Sequence, residues 1–380
     1  MRGNHIARPL LLITMTLLVG LALAAPAAAG ETSTTDLPVS CVIDDVPLWQ
    51  QLDASGCGAA SAEIVMDYWG PLVDQREIYA AARTGRGEDA FTASGTAVPD
   101  LARAGQFSLL SETAGDAYDV SVSGYTGRPL GYAAFFYGEA EPWLDQLKAV
   151  IAAGYPVICL TDWMPDIYGY HYRVVVGYDD ARGVLYFHDP WVRWFTDDIG
   201  ARGCFVPTKA ASQQYVYEPM EWSYEDWLAV WDASGDLWGQ PGYGYNAVLI
   251  APWEVEIEAP ATVVAGETFH ATVTVTYPCM EPFATGDWPA FPASATTIEL
   301  AVPDGWSVDG AVATIGDLEA GASASWRFTV TAGAEAGDAT LGAIGSGLVS
   351  GSLEARGEYP AYEYQDLVGG TGEATIVVTD

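Results

Sequence analysis

The spacing of apolar residues divides the chain into two parts. In the first part, some stretches repeat apolar residues at helical spacing and others form short β-branched runs, a mixture typical of an α+β domain. From Trp253 onward, apolar and polar residues alternate, as at 254–258 and 272–276, with turn residues between the runs. The pattern predicts one domain over residues 45–252 and an antiparallel β-sandwich of immunoglobulin-like type over residues 253–380. We expect the second part to fold independently.

The first part contains several well-marked elements. Apolar residues at helical spacing follow Cys57 and would line one face of a helix. Gly70-Pro71 ends that helix, because proline has no N–H with which to continue it. A buried strand is predicted at 156–160, a hairpin at 170–178 and 184–189, and a closing strand at 246–250.

The beginning of the chain has the features of a secretory signal. Arg2 and Arg8 supply the positive charge that precedes an apolar run. Three alanines at 27–29 then form a small-residue cleavage site. We therefore expect residues 1–29 to be removed, residues 30–44 to be a flexible lead-in, and the protein to be secreted or held in the cell envelope. No second long apolar run follows, so membrane insertion is not expected.

The strong negative charge of the chain argues against polyanionic partners. The net charge of -35 becomes -37 once the two arginines of the signal are removed, and lysine occurs only at Lys148 and Lys209. Such a chain is repelled by nucleic acid and by anionic lipid surfaces. The high apolar and aromatic content, 50% and 12%, argues against disorder despite this charge.

The chain has an odd number of cysteines, five. In an exported protein, one thiol then remains free or pairs with another chain. If Cys57 is the free thiol, the other four can form two disulfides of unknown pairing: Cys41, Cys159, Cys204 and Cys279. No short cysteine spacing suggests zinc, and the sequence predicts no metal and no cofactor.

Cys57 is the candidate nucleophile. It lies at the start of the predicted helix, where unpaired N–H groups and the helix dipole favour a thiolate, so we expect a low pKa. Gly56 and Gly58 would leave room for another backbone or a substrate carbonyl near the sulfur. The alternative is that Cys57 is a small buried apolar residue or one half of a disulfide.

The hairpin selects a base among the three histidines that follow the signal. If Tyr178 pairs with Val184, His171 and Asp189 are diagonal neighbours on one face, and Arg173 lies opposite Asp189. His188 then points to the other face, and a slip of one residue would reverse the assignment. His270 lies on a sandwich strand and is set aside.

The chemistry of acyl transfer assigns a role to each of four residues. A thiolate at Cys57 attacks, His171 shuttles the proton, Asp189 fixes the imidazole tautomer, and the side-chain amide of Gln51 supplies an oxyanion donor beside the backbone N–H of Cys57. The alternatives are a satisfied core histidine, an aspartate in a turn and a solvated glutamine.

These residues occur in an order that resembles a known family. The order is Gln51…Cys57-Gly58, then AGYPV at 153–157, then His171-Tyr172 leading to VGYD at 176–179, then Asp189-Pro190. It looks like the bacteriocin-processing-like cysteine peptidases, family thirty-nine of that class. The resemblance covers about residues 45–252. It implies a papain-like fold, a peptide or protein substrate, and the same four roles for Cys57, His171, Asp189 and Gln51.

The sequence departs from that family in several places. Tyr170 stands where a glycine often precedes the histidine, and Gly56 stands where transporter-fused members usually have an aspartate. The transporter parts are absent and the resemblance does not extend into the sandwich.

Two functions follow. One is an exported cysteine peptidase whose sandwich docks to an envelope or glycan partner. The other is a non-catalytic surface-binding or structural protein on a peptidase-like fold.

Overall fold

The structure is a computed structural model that describes most of the chain after residue 36. The described residues are 37–70, 72–86, 94–108, 111, 125, 128–164, 167–191, 204–206, 214–216, 219–233, 244–283, 291–355 and 360–380. The predicted signal at 1–29 and the first part of the predicted lead-in lie outside them.

The described helices all belong to the first part of the chain. They are α1 (Cys57–Trp69), α2 (Gln75–Ala81), α3 (Val98–Gln106), α4 (Leu144–Ala152) and α5 (Tyr224–Trp231). The strands of this part are β1 (Ser40–Val42), β2 (Leu48–Trp49), β3 (Gly85–Arg86), β4 (Ser94–Gly95), β5 (Ala133–Tyr137), β6 (Val157–Met164), β7 (Ile167–Asp179), β8 (Val184–His188), β9 (Cys204–Val206), β10 (Gln214–Val216), β11 (Met220–Ser223) and β12 (Ala247–Ala251).

Among the described residues of the second part, every helix or strand element is a strand. They are β13 (Glu254–Glu258), β14 (Thr262–Val264), β15 (Thr268–Thr276), β16 (Ala293–Ala301), β17 (Ser307–Asp309), β18 (Val312–Leu318), β19 (Ser323–Thr331), β20 (Gly337–Leu353) and β21 (Tyr362–Thr379).

A seven-stranded sheet organises the first part. Its order is β11-β8-β7-β6-β12-β5, and β1 pairs with β7 as well. β1 lies in the region predicted to be a flexible lead-in, so that prediction is wrong for residues 40–42, where Cys41 pairs with Tyr178. Helix α1 packs on this sheet through β7, β12 and β6. The sheet therefore supports the helix that begins at Cys57.

Helix α1 is buried more completely than one apolar face requires. Every residue from Cys57 to Met66 is buried, including Glu63. The Glu63 carboxylate accepts a hydrogen bond of 2.6 Å from Gln75 Nε2, which provides the partner that a buried carboxylate needs. Burial therefore extends beyond the predicted apolar face, because α2, α3 and the sheet surround this part of α1.

The hairpin of β7 and β8 has two registers. Near the turn, Asp179 pairs with Val184 and Tyr178 with Leu185, so the predicted pairing of Tyr178 with Val184 is wrong there. A bulge between Val175 and Gly177 then adds one residue to β7, and Val174 pairs with His188. Beyond the bulge the register is the predicted one.

The second part consists of two β-sheets. One has the order β13-β15-β19-β17 and the other β14-β21-β20-β16-β18. Burial alternates along β15, as the sequence pattern predicts for strands with one covered face. Gly345 of β20 lies close to Val275 and Val255 of the facing sheet, where a Cβ would collide with Val275. The two sheets therefore pack against each other in this part.

The two parts share a buried interface. Gly131 donates to the Leu367 carbonyl at 2.8 Å and accepts from Gly369 N at 3.0 Å. Arg103 Nη2 lies 3.3 Å from Asp366 Oδ1, and both side chains are buried. Trp253 stacks on Tyr277, which in turn contacts Phe135. Independent folding of the second part stays a prediction.

The thiols of the described region are unpaired. Cys41, Cys57, Cys159 and Cys279 are free, so the suggestion of two disulfides is wrong. Nothing is described for the side chain of Cys204. Within the ranges given above, no group of three or more His, Cys, Asp or Glu residues is placed to hold a metal ion. None of the helices in those ranges is long and apolar enough to cross a membrane.

Candidate active site

Cys57 begins α1, as predicted, and the loop before it is held by hydrogen bonds to Asp53. The Asp53 carbonyl accepts from Gln51 Nε2 at 2.6 Å and from Gly56 N at 3.2 Å. Its carboxylate accepts from the Tyr79 hydroxyl at 2.7 Å. These bonds link the start of α1 to α2 and fix the approach of the chain to Cys57.

The glycines on either side of Cys57 make room for the protein's own side chains. A Cβ on Gly56 would overlap the hydroxyl of Tyr79. A Cβ on Gly58 would lie 3.0 Å from Thr96 Cβ and 3.2 Å from the ring of Tyr172. The reason given from the sequence, access for a substrate carbonyl, is therefore not what requires glycine here.

The environment of the Cys57 thiol raises its pKa. Burial is the largest cause and brings the pKa to about 11, with Asp189 acting in the same direction. Backbone N–H groups of Tyr172 and Gly58 hydrogen-bond the sulfur and act against this, as does the charge of Arg173. The prediction of a low-pKa thiol is therefore wrong, because desolvation outweighs the helix terminus.

His171 and Asp189 meet as predicted. The distance between His171 Nε2 and Asp189 Oδ1 is 2.8 Å, and both side chains are buried. With Nε2 carrying the proton that the carboxylate accepts, Nδ1 is the ring nitrogen with the lone pair. Burial is the largest effect and lowers the pKa of His171. The charge of Asp189 raises this pKa, and the charge of Arg173 lowers it further. The imidazole is therefore neutral near pH 7.

Arg173 is a member of this cluster to which the sequence assigned no role. Its Nε donates to Asp189 Oδ2 at 2.7 Å, and Nη1 donates to Thr161 Oγ1 at 2.5 Å. The contact with Asp189 could have been inferred from the sequence, because the predicted register already placed Arg173 opposite Asp189. A buried arginine needs such partners, since an unpaired charge in the interior is costly.

Gln51 is brought next to the Asp189 segment by its backbone. Its N–H donates to the Pro190 carbonyl at 2.8 Å, and its side chain is buried. The side-chain Nε2 donates to Asp53, and Oε1 has no hydrogen-bond partner among the described residues. One of the two amide hydrogens therefore has a partner inside the loop, and the role of Gln51 as an oxyanion donor stays a prediction.

The other two histidines lie away from this cluster. His188 Nε2 bonds the Val46 carbonyl at 3.1 Å, and burial lowers its pKa to about 4. His270 is exposed on β15, 3.5 Å from the Thr329 hydroxyl. Neither has a carboxylate to orient it among the contacts described, in contrast to His171.

Two half-buried tryptophans extend the cluster. The ring of Trp163 meets the His171 imidazole edge-on, with centroids 4.5 Å apart. Trp191 lies 5.5 Å from Trp163, and its backbone N–H donates to Asp189 Oδ1 at 2.8 Å. Neither tryptophan was identified from the sequence. Trp163 covers one side of the His171 ring.

The parts brought together are those that nucleophilic acyl transfer uses. A thiol at a helix start touches the backbone of Tyr172, the residue after His171. The imidazole is oriented by a buried carboxylate, and the loop that carries Gln51 is bonded to Pro190. Such an arrangement supplies a nucleophile, a proton acceptor and an orienting group.

Comparison with known proteins identifies one family. Residues 43–221 match the family model described as Peptidase_C39 like family. No curated protein matches the chain.

Solved structures give low similarity over about a third of the chain. An alpha-2-macroglobulin fragment from Escherichia coli is 19% identical, with 34% of this chain and 16% of that chain covered and a TM-score of 0.24. A CARDB domain from Pyrococcus furiosus is 11% identical, with 33% and 94% covered and a TM-score of 0.20. A cohesin module from a Clostridium perfringens family 33 glycoside hydrolase is 15% identical, with 34% and 98% covered and a TM-score of 0.18.

Proposed function

We propose that the domain containing residues 43–221, which match the Peptidase_C39 like family model, is a cysteine peptidase that hydrolyses peptide bonds through Cys57. The observation that carries the proposal is the buried pair of His171 and Asp189, 2.8 Å apart, beside the helix that begins at Cys57. The substrate is a peptide or protein.

The proton leaves Cys57 only when a substrate arrives. At rest, the thiol is protonated, because its pKa is about 11, and the imidazole is neutral. The sulfur bonds to the substrate carbonyl carbon while its proton passes to Nδ1 of His171. Asp189 accepts from Nε2 and stabilises the resulting imidazolium.

The remaining steps use the same groups. The second amide hydrogen of Gln51 and the backbone N–H of Cys57 donate to the developing oxyanion. The imidazolium then returns its proton to the leaving amine, and the C–N bond breaks to leave an acyl-enzyme. Water attacks the acyl carbon with His171 as base, which releases the carboxylic acid and restores the thiol.

The test is hydrolysis of a peptide library by the mature protein, with products identified by mass spectrometry. Cys57→Ala and His171→Ala should each abolish cleavage, and combining them should add little, because residues that act as a unit are non-additive. Asp189→Asn should cost less, since nucleophile and base remain. His270→Ala is the matched control and should keep full kcat/KM. Cleavage that survives in Cys57→Ala would refute the proposal.

One observation favours a second candidate function. Cys57 is buried and its thiol is protonated at rest, as a purely structural cysteine would be. A non-catalytic binding protein on the same fold would show this property without turnover. In that case no library peptide is cleaved, and a peptidyl chloromethyl ketone fails to label Cys57 in the folded protein.

We further propose that the protein is exported and that its second part, an immunoglobulin-like sandwich, docks it to an envelope or glycan partner. The signal features of residues 1–29 support export. Amino-terminal sequencing of protein recovered outside the cytoplasm should show a start near residue 30. A mature protein that begins at Met1 would contradict export through this signal.

A further inference from the structure

Arg173 is fully buried, and each of its three guanidinium nitrogens donates at least one hydrogen bond. Besides Asp189 and Thr161, it donates from Nη1 to the Asp162 carbonyl at 2.9 Å and from Nη2 to the Trp163 carbonyl at 2.6 Å. The guanidinium carbon also lies 4.6 Å from the ring centre of Trp222. This set of contacts fixes the guanidinium plane and its position against β6.

The same contacts fix both oxygens of Asp189. Oδ2 accepts from Arg173 Nε, whereas Oδ1 accepts from His171 Nε2 and from the backbone N–H of Trp191. A carboxylate that lacked the bond at Oδ2 would be held through Oδ1 alone. Arg173 therefore holds the plane of the Asp189 carboxylate in its orientation toward the imidazole.

We propose that Arg173 is a positioning residue that holds Asp189 as an oriented carboxylate, and thereby directs the proton-accepting nitrogen of His171 toward Cys57. The assignment of His171 as the base is the proposed function on which this rests. Arg173 touches neither the thiol nor the imidazole by any hydrogen bond described here. It acts through Asp189.

The charge of Arg173 has a second effect on the imidazole. It offsets part of the attraction between Asp189 and an imidazolium, and so lowers the pKa of His171, in addition to the larger effect of burial. It also helps to keep the pKa of Asp189 below its usual value, against the effect of burial. The base is thereby kept neutral, and ready to accept a proton, next to an ionised carboxylate.

The test follows the imidazole by NMR, so that it does not depend on peptidase activity. The mature protein, labelled in its histidines, is compared with Arg173→Gln, Arg173→Lys and the control Arg182→Gln. Arg182 lies in the same hairpin but is exposed and pairs with Glu221 at 2.6 Å. The His171 signal is assigned by its loss in His171→Ala.

In Arg173→Gln, the pKa of His171 should rise by about one pH unit, because a buried like charge is removed. The low-field Nε2 proton signal of His171 should broaden or disappear in both Arg173 variants, since a lysine keeps the charge but lacks the planar fork. In Arg173→Lys, the pKa should stay near that of the wild type. Arg182→Gln should change neither signal.

If the domain hydrolyses peptides, the acid limb of the kcat/KM profile of Arg173→Gln should move to higher pH with the imidazole. Arg173→Lys should lose about tenfold to a hundredfold in kcat, the cost of a misplaced catalytic group. A protein that cleaves no peptide but shows the NMR changes refutes the proposed function and leaves the inference standing.

An unaltered Nε2 proton signal in Arg173→Lys overturns the inference, and that variant decides the matter if Arg173→Gln does not fold. A lower melting temperature with unaltered imidazole signals in both variants also overturns it, because Arg173 would then be only a structural residue.

Discussion

Cys57 shows how two local effects compete at one residue. The start of α1 favours a thiolate, but the sulfur is enclosed, and desolvation brings the pKa to about 11. A thiol of this kind is protected from adventitious oxidation and alkylation at neutral pH, since the thiolate is the reactive species. The proposed attack by Cys57 therefore requires a base that takes the proton from the sulfur.

This leads to a prediction about alkylation. The rate at which iodoacetamide modifies Cys57 in the folded protein should rise with pH without a plateau below about pH 10. In urea, the same thiol should show a midpoint near its ordinary pKa of about 8.5. The measurement is mass spectrometry of the Cys57 peptide over a pH series, with Cys57→Ala as the blank. A plateau already present at pH 6 or 7 would mean that a stable thiolate exists.

At the scale of elements, the loop before α1 is built around Tyr79 of α2. The Tyr79 hydroxyl bonds Asp53 and occupies the space where a side chain at position 56 would lie. The position of Cys57 thus depends on a residue of another helix. Helix α2 supports the loop that precedes Cys57.

Gly56→Ala should therefore displace the loop, lower the melting temperature and reduce alkylation by the peptidyl chloromethyl ketone. Overpacking of this kind costs about 1–3 kcal/mol. Tyr79→Phe alone should cost about 1 kcal/mol, because it removes the bond to Asp53. The double variant should be more stable than the sum of the two losses predicts, since the hydroxyl that collides is gone. Strict additivity in urea unfolding would show that the two residues do not meet.

The elements near the candidate site could be predicted from the sequence where they depend on a local pattern of residues. The start of the helix at Cys57 and the shared face of His171 and Asp189 follow from periodicity and strand alternation. The burial of residues 57–66 on every face, the bulge and the contacts of Arg173 depend on residues distant in the chain. The thiol pKa was mispredicted for the same reason: a sequence shows the helix start but not the packing that desolvates it.

At the scale of the whole molecule, the interface between the two parts contains a buried acid. Asp366 bonds Ser111 and Arg103, yet its Oδ2 has no hydrogen-bond partner in the described part of the chain. Burial raises the pKa of Asp366 to about 6, against the effects of Arg103 and Ser111. Tyr364 also lies here and bonds Gln106 at 3.1 Å.

The raised pKa of Asp366 makes the folded protein less stable as the pH rises. The folded protein keeps the Asp366 proton up to about pH 6, whereas the unfolded chain loses it near pH 4. The free energy of unfolding should therefore fall as the pH rises from about 4 to 6, by up to about 3 kcal/mol. Asp366→Asn should remove this part of the slope, measured by urea unfolding at pH 4.5, 5.5 and 7.

Asp309→Asn, on an exposed strand of the sandwich, is the control for the general effect of removing a negative charge from so acidic a chain. Equal slopes for Asp366→Asn and the wild type would contradict the prediction.

The bulge between Val175 and Gly177 has a consequence for how related chains are compared. It lets the turn end of the hairpin and the end that carries His171 and Asp189 keep separate registers, one residue apart. A relative whose turn gains or loses one residue can absorb the change by losing or adding a bulge, with the histidine and aspartate still on one face. The interval of 18 residues between His171 and Asp189 is therefore not a fixed signature. An alignment that forces this interval would pair the wrong residues in such a relative and would misreport an intact site as a lost one.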